Sequence, residues 1–403
     1  MLKTTTTLET VKGTTMKLLA YCQANDWAGY DPYDGLNSKV FQALKIFHFK
    51  LPRLALIQLM KRSPVNFRRI LQVPRSLSPK GISLFLTSVN KLYEIGLVHD
   101  DKIIRTLSDW LLGLSLLNDG YLAWGYNFDW QALTGLVPYG TPNIICSTFA
   151  GNALLDTYKN FPDPRFLESA TRVSSFLLDR LYWEVDSKDA FFSYMPISLK
   201  PIIPIHNANL LGAAFLTRVA RETRKKALLA PALKAARFSA SKQQGEGSWD
   251  YGEWDRPSQR WIDNFHTGFN LCALRNIGRD AETSEFEPHI KRGFDFYRQH
   301  FFEKDEAPKY YHDRLYPIDI HSVAQSIITL VALKDLDKNN TQLAKTVLAW
   351  AMSNMWDSKG YFYFQKHRCW TIRIPYMRWS QAWMLLALAT LAESLKTEEA
   401  PIW

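Results

Sequence analysis

The sequence of 403 residues predicts an all-α toroid of repeated helical hairpins, with short β-hairpins at its rim. Five segments share one layout, in which an aromatic, hairpin-like stretch precedes a polar helix start and a helix of small and apolar residues. The helix starts recur at a nearly constant spacing. Amphipathic helices with one polar face lie between these repeats, and such helices pack on one side only.

The repeat becomes visible when the five helix starts are aligned, at Thr148, Ala208, His266, Ser322 and Ser380. Successive starts are separated by 60, 58, 56 and 58 residues. A spacing this regular is the signature of a repeat architecture. One step earlier falls near position 90, inside the apolar stretch GISLFLTSVNKLYEIG, which predicts a sixth repeat with a degenerate start.

The two kinds of helix predict two concentric rings. The repeat helices are apolar nearly all round and rich in Ala, Gly and Ser, so they suit the close packing of an inner ring. Stretches such as DPRFLESATRVSSFLLDRLYW have one polar face and suit the outer ring. We therefore predict that residues 1–403 form one toroid domain, with a basic amphipathic insertion at about 45–80.

The insertion holds nine Lys or Arg residues between Lys45 and Lys80 and no Asp or Glu. Apolar residues alternate with them at roughly helical spacing. Two interpretations remain open, namely peripheral contact with an anionic membrane and a solvated face of the insertion. The second is favoured.

The net charge of +10 favours anionic partners. The basic residues are not gathered into a recognition helix and no nucleic-acid motif is present, so we expect an anionic poly- or oligosaccharide and no nucleic acid. The N-terminal stretch MLKTTTTLETVKG lacks the apolar core of a secretion signal, and no apolar run approaches ~18 residues. These features predict a cytoplasmic protein, with membrane-peripheral attachment as the alternative.

In such a ring the starts of the inner helices converge on one funnel, where free N–H groups suit anionic ligands. The polar residues at these starts are therefore the candidate site. The candidates for catalysis are His266, His321, Tyr311, Asp263, Asp319 and Tyr376. The candidates for substrate binding are Asp31, Tyr33, Trp124, Tyr126, His206, Asn207, Asn209, Trp249, Tyr251, Trp261, Asn264, Arg373, Arg378, Trp379 and Gln381.

Helix capping is the competing explanation for part of this set, because Ser, Asn and Asp cap helices well. For Ser147, Asn207 and Asp319, capping and a site role both remain open. Histidine and arginine are poor caps, which favours a site role for His206, His266, His321 and Arg378. No pair of histidines has the i,i+4 spacing of a helical zinc site, so we predict neither a bound metal nor a cofactor.

Three functions fit these residues. A lyase or epimerase acting on a uronate needs a cation for the carboxylate and a base for the neighbouring C–H proton. An inverting glycoside hydrolase needs two carboxyl groups ~6.5–9.5 Å apart. A non-catalytic protein would hold a glycan or a lipid-linked glycan. The residues considered are Arg373 and Arg378 as cations, His266, His321 and Tyr311 as bases, Tyr316 and Tyr376 as acids, and Asp31, Asp129, Asp263 and Asp319 as hydrolytic carboxylates.

The layout resembles the six-hairpin, or (α/α)6, toroids of carbohydrate-active enzymes, which include glycosidases, unsaturated glucuronyl hydrolases, polysaccharide lyases and sugar epimerases. The segment YYHDRLYPIDIHSVAQSI is similar to the helical domain of glucuronyl C5-epimerases. Nearly the whole chain resembles uncharacterised proteins of bacterial surface-polysaccharide clusters, through WAGYDPYDGL, KRSPVNFR, WIDNFHTGF, YPIDIHSVAQ and RIPYMRWSQAW. The resemblance implies polysaccharide metabolism, with acid–base chemistry on an acidic glycan.

Overall fold

The structure, a computed structural model, describes residues 6–44, 49–118, 120–132, 135–196, 202–255, 260–304 and 306–399. Most of the regular structure in these residues is helical. The helices are α1 (Leu8–Ala24), α2 (Lys39–Gln42), α3 (Lys50–Arg62), α4 (Pro79–Glu94), α5 (Lys102–Gly113), α6 (Ile144–Asn160), α7 (Pro164–Phe176), α8 (His206–Thr223), α9 (Leu229–Ser241), α10 (Asn264–Asp280), α11 (Glu287–His300), α12 (Ile320–Ala332), α13 (Asn340–Met355) and α14 (Trp383–Glu399).

Helices α4, α6, α8, α10, α12 and α14 form a closed inner ring. Each packs against the next, and α14 packs back against α4. Their positions confirm the repeat that the sequence predicts, and α4 is the sixth inner helix that was expected near position 90. Helices α5, α7, α9, α11 and α13 each pack outside the inner helix that precedes them in the chain, while α1 packs outside α14.

The strands are short and lie in the connections that lead into the inner helices. They are β1 (Leu116–Asn118), β2 (Tyr121–Ala123), β3 (Trp130–Gln131), β4 (Leu136–Val137), β5 (Tyr182–Glu184), β6 (Ala190–Phe192), β7 (Ile318–Asp319), β8 (Trp356–Asp357), β9 (Tyr361–Phe362), β10 (Gln365–Lys366) and β11 (Thr371–Ile372). Every strand pair in the described part of the chain is antiparallel. The predicted β-hairpins at the rim are therefore present.

Small residues set the spacing of the inner ring. A Cβ added to Gly151 in α6 would lie 2.5 Å from the ring of Phe215, which is fully buried in α8. A Cβ on Gly212 would lie 2.6 Å from Ile144. Protein interiors are packed too densely to absorb such contacts without movement, so glycine at these positions lets neighbouring inner helices approach closely.

The caps at the inner helices explain why they begin where they do. Asn143, Asp263 and Asp319 each accept a hydrogen bond from a backbone N–H in the first turn of α6, α10 and α12. Ser78 does the same for α4. Carboxylates and amides at these positions satisfy N–H groups that the helix leaves unpaired.

The basic insertion is built around α3. Leu56, Ile57 and Met60 of this helix pack with Leu36 and Val73 in a small hydrophobic cluster separate from the main core. The solvated-face interpretation fits the exposed Lys50, Arg62, Arg69 and Arg75. It is wrong for Arg68 and Lys80, which are buried, because Arg68 pairs with Asp34 and Lys80 begins an inner helix. Lys45 lies outside the described residues.

Within the described ranges, no helix combines the length and the apolar character that crossing a bilayer requires.

Substituting Gly151 by Ala is expected to destabilise the protein by about 1–3 kcal/mol, because the added methyl group overlaps the buried ring of Phe215. Gly13→Ala is the matched control. Gly13 lies on the exposed face of α1, and apart from the nearby backbone of its own helix no described atom lies within 4 Å of the position that an added methyl group would occupy, so alanine should stabilise by about 0.5–1 kcal/mol there. Thermal unfolding followed by circular dichroism measures both. Equal melting temperatures for the two variants would contradict the close packing.

Candidate functional site

A cavity of about 540 Å³ opens at the ends of the inner helices where they begin. Phe, Trp and Tyr are the most frequent kind of side chain in its described wall, and Lys61, Lys80, His266, His321 and Arg378 supply the basic groups. A concave, largely apolar cavity with a few polar groups that converge on it is typical of a small-molecule site.

Ten of the residues proposed from the sequence line this cavity. They come from the N-terminal segment and from all five repeats identified in the sequence, so the predicted convergence of the helix starts is observed for this subset. They are Tyr33, Tyr126, Asn207, Tyr251, Trp261, His266, Tyr311, His321, Arg378 and Trp379.

His266 and Asp263 form a hydrogen-bonded dyad at the start of α10. Asp263 caps α10 by accepting the His266 backbone N–H at 2.9 Å. Its other oxygen lies 2.6 Å from His266 Nδ1 and accepts the Trp261 indole N–H at 2.9 Å. A carboxylate at Nδ1 fixes the imidazole tautomer and leaves Nε2 as the proton acceptor. The dyad therefore presents a base to the cavity.

His321 is the second imidazole of the wall, and it is held by aromatic rings rather than by hydrogen bonds. Its ring stacks on Phe265 at 4.3 Å and on Trp383 at 4.3 Å between centroids. Neither ring nitrogen has a hydrogen-bond partner among the described residues. Burial, followed by the charges of Lys80 and Arg378, holds the pKa of His321 well below 6.5. His321 is therefore a neutral imidazole with both nitrogens free to bind a ligand.

Lys80 is a buried amine in the cavity wall. It has no hydrogen bond or ion pair with the described residues, and its Nζ lies 4.9 Å from the ring centroid of Phe149 and 5.2 Å from that of Trp383. Burial and the nearby charge of Arg378 lower its pKa to about 7. A buried ammonium without a counter-charge is costly, so an anionic ligand group would gain from contact with Lys80.

Arg378, by contrast, is already neutralised. It donates to both carboxylate oxygens of Asp31, at 2.6 and 2.8 Å, and both side chains are buried. The pair joins the last inner hairpin to the N-terminal segment. Arg378 and Trp379 lie in a π-helical turn, Met377–Ala382, which precedes α14. Such turns are frequent at functional sites, but this arginine has little charge left for a ligand carboxylate.

Aspartate and glutamate are absent from the described wall of the cavity. Asp319, like Asp263, lies behind the wall, where it accepts hydrogen bonds from His321 N, Gln365 and Trp379. Two further polar atoms in wall residues, Asn207 Oδ1 and Trp254 Nε1, are buried and have no hydrogen-bond partner among the described residues. Buried polar groups are nearly always paired, so these atoms could accept or donate a hydrogen bond to a ligand.

Aliphatic side chains also line the cavity. They are Leu54 and Ile57 of α3 and, from the connection that precedes α8, Met195, Ile202, Ile203 and Ile205. Helix α3 also contributes Gln58 and Lys61, so the described wall combines aliphatic, aromatic and basic side chains.

The remaining predicted residues do not line the cavity, which corrects the expectation that all the helix-start residues converge on it. Most are buried and bonded to other parts of the protein. Thus His206 contacts Ser239 and Glu253, and Asn264 bonds Ser326. The residues placed outside the wall are Asp31, Trp124, His206, Asn209, Trp249, Asp263, Asn264, Asp319, Arg373, Tyr376 and Gln381.

Two of these placements change the predicted chemistry. Tyr376 was expected to act as an acid, but its ring is fully buried against the Arg68 guanidinium, 4.7 Å away. Arg373 was expected to bind a carboxylate, but it lies over Tyr363 outside the cavity. Asp319 caps α12, as one of its two interpretations predicted, whereas Asn207 and Ser147 do not cap their helices.

Sequence reasoning missed Lys80 as a site residue because it was grouped with the basic insertion. In the structure Lys80 is the second residue of α4, and Ser78 caps that helix. The sequence SPKG, a capping serine followed by proline, is the signal that could have placed Lys80 at a helix start. Phe265, Phe269 and Tyr194 of the wall were also missed. Aromatic residues are as common in helical cores as in sites, and their sequence positions do not distinguish the two.

In the described part of the chain, no group of three or more His, Cys, Asp or Glu side chains is placed to hold a metal ion.

Comparison with solved structures identifies the architecture. The chain is an (α/α)6 toroid. It superposes on an unsaturated glucuronyl hydrolase specific for heparin with a TM-score of 0.61 and 13% identity, over 96% of this chain and 97% of that one. A cellobiose 2-epimerase from Bacillus thermoamylovorans gives a TM-score of 0.60 and 10% identity, over 81% and 90%. A D-mannose isomerase gives 0.61 and 12%, over 79% and 87%.

At such low identity these likenesses establish the fold alone. No protein-family model matches the sequence, and a comparison with curated proteins gives no match.

Lys80→Met is expected to raise the melting temperature at pH 6 by at least about 2 °C, because the variant no longer buries an unpaired ammonium. The pKa of Lys80 is about 7 in the folded protein, against about 10.4 for free lysine. Between these values the folded protein binds fewer protons than the unfolded chain, so the stability of the wild type rises with pH. The advantage of the variant should therefore shrink from pH 7 upward.

Differential scanning fluorimetry across pH measures this difference, and Lys338→Met, at an exposed loop position, is the matched control. A Lys80 variant whose melting temperature stays below that of the wild type at every pH would contradict an unpaired buried amine.

Proposed function

We propose that this protein is an enzyme that removes a proton from the carbon beside the carboxylate of an acidic saccharide, as an epimerase or a lyase. The observation that carries the proposal is the His266–Asp263 dyad, which presents Nε2 as a base to a cavity whose described wall contains no carboxylate. A positioned imidazole with a free nitrogen suits proton transfer near neutral pH.

Three side chains take part in removing the proton. His266 Nε2 takes the proton from C5 of the uronate, and the C–H electron pair moves toward the carboxylate. The developing negative charge on the carboxylate oxygens is stabilised by the Lys80 ammonium, with His321 donating a hydrogen bond from its free N–H. Return of a proton to the opposite face gives the epimer. Expulsion of the C4 oxygen instead gives an unsaturated product.

A wall tyrosine is the acid that serves the opposite face or the leaving oxygen. Tyr311 lines the cavity next to the dyad, since its backbone pairs with Asp263. Tyr251 stacks on Trp261 at 4.4 Å and contacts His266, and burial keeps its pKa well above 10. A tyrosine that keeps its proton at neutral pH can donate it to an oxygen in the transition state.

The charge of the cavity supports an acidic substrate over a neutral one. Lys80 has no counter-charge among the described residues, and Lys61 lies in the wall, where it donates a hydrogen bond to the Tyr33 hydroxyl. Arg378 adds little, because Asp31 offsets its charge. The same wall gives little support to inverting hydrolysis. That reaction requires two opposed carboxyl groups, while Asp31, Asp263 and Asp319 lie behind the wall in bonded positions.

A second candidate function is the binding of a lipid-linked glycan without catalysis. The aliphatic side chains in the wall, such as Leu54, Ile57 and Ile205, support it, because an apolar chain gains from burial against them. In that case the protein would bind the glycan and leave its C–H bonds untouched.

Incubating the protein in heavy water with polygalacturonate, alginate or heparosan oligosaccharides tests the reaction. We expect deuterium at C5, read by NMR, or an unsaturated product, read by ultraviolet absorbance. His266→Gln should slow this exchange by at least ~100-fold, because the base is lost. Lys80→Met should slow it as well, with the larger effect on acidic substrates.

His289→Gln is the matched control for His266→Gln, because His289 bonds Gln243 outside the cavity. Full activity of the His266 variant, with its fold intact by circular dichroism, would overturn the role of the dyad. New reducing ends without deuterium uptake would indicate hydrolysis. Binding without any of these reactions would support the glycan-binding candidate.

A further inference from the structure

The surface of the α3 insertion is unusually apolar for a region exposed to solvent. Eight of the fifteen large hydrophobic side chains that are exposed in the described residues fall between Val40 and Ile70. The three most exposed are Leu51, Ile70 and Phe49, with exposed fractions of 76%, 74% and 68%. Exposed apolar side chains concentrated in this way mark an interaction surface rather than the usual scatter of single residues.

Basic residues surround this apolar surface. Lys39, Lys50, Arg62, Arg69 and Arg75 are exposed around it. The sequence contains no Asp or Glu between Asp34 and Glu94. Apolar side chains flanked by Lys and Arg fit a surface that is both apolar and negatively charged, which is the character of the interface of an anionic lipid bilayer.

Helix α3 divides into three faces along its length. Leu56 and Met60 face the small hydrophobic cluster beneath the helix. Leu54, Ile57 and Lys61 line the cavity. Leu51, Ala55, Leu59 and Arg62 form the exposed face, defined here as the outer face of α3. The helix is therefore packed against the cluster on one side and forms part of the cavity wall on another. These contacts fix its position, and its outer face remains exposed.

We propose that the protein docks peripherally on anionic membranes through the outer face of α3 and the exposed apolar residues that flank it, Phe49, Val65 and Ile70. Burial of these side chains in the interface supplies the hydrophobic contribution, and each nearby Lys or Arg adds about 1 kcal/mol near an anionic surface. A second copy of this chain fits less well, because two such surfaces would bring like charges together. The proposal does not depend on the enzymatic activity.

Co-sedimentation of the full chain with vesicles tests the proposal. We expect binding to vesicles that contain phosphatidylglycerol, little binding to vesicles of phosphatidylcholine alone, and weakening with added salt. The double variant Leu51→Glu/Leu59→Glu should reduce the partition coefficient by at least ~10-fold, because it removes two apolar side chains and adds two negative charges. Its rate on a soluble saccharide should stay unchanged, since neither residue lines the cavity.

Trp183→Glu/Val185→Glu is the matched control. Both residues are exposed, and they lie in or next to the β5–β6 hairpin rather than in the insertion. Equal losses of binding in the two double variants would overturn the assignment of the surface, and so would the absence of binding to phosphatidylglycerol vesicles. If size-exclusion chromatography with light scattering showed a dimer that only the α3 variant dissolves, the surface would be a contact between copies instead.

Discussion

Closure of the inner ring is the constraint on which the rest of the structure depends. Only when α14 packs against α4 do the beginnings of six inner helices surround one space. The buried Arg378–Asp31 pair lies at this closure and joins segments 347 residues apart in sequence. Removing one partner of such a pair leaves an uncompensated buried charge, so the contact stabilises the closed ring while it shapes one side of the cavity.

The same capping groups serve structure and site together. Asp263 and Asp319 each accept a backbone N–H from the first turn of α10 and α12. Asp263 also bonds the side chains of His266 and Trp261, and Asp319 accepts the indole N–H of Trp379. At both positions one carboxylate caps a helix and also bonds a side chain of the cavity wall. These carboxylates lie behind the wall, whose described residues include no Asp or Glu.

The cavity combines low solvation with incompletely paired polar groups. His321 and Asn207 retain unpaired atoms, and Lys80 is surrounded by Phe149, Phe269 and Trp383. Electrostatic interactions are stronger in such surroundings than in water. Aromatic walls also provide flat faces on which sugar rings can stack. Both features suit a saccharide with one anionic group that contacts the basic side chains of the wall.

The sequence by itself determined the repeat and the two kinds of helix, because period and small-residue content are local properties. It placed the helix starts only to within a few residues, since α6, α8, α10 and α12 begin two to four residues before the aligned positions. It also identified ten wall residues, since helix starts in a toroid must converge. Only the tertiary structure decided which side of each start faces the cavity. In the structure His206 and Tyr376 lie outside the cavity wall, Arg378 pairs with Asp31, and Lys80 lies in the wall. Those outcomes depend on how neighbouring helices are rotated against one another, and packing between distant segments sets that rotation.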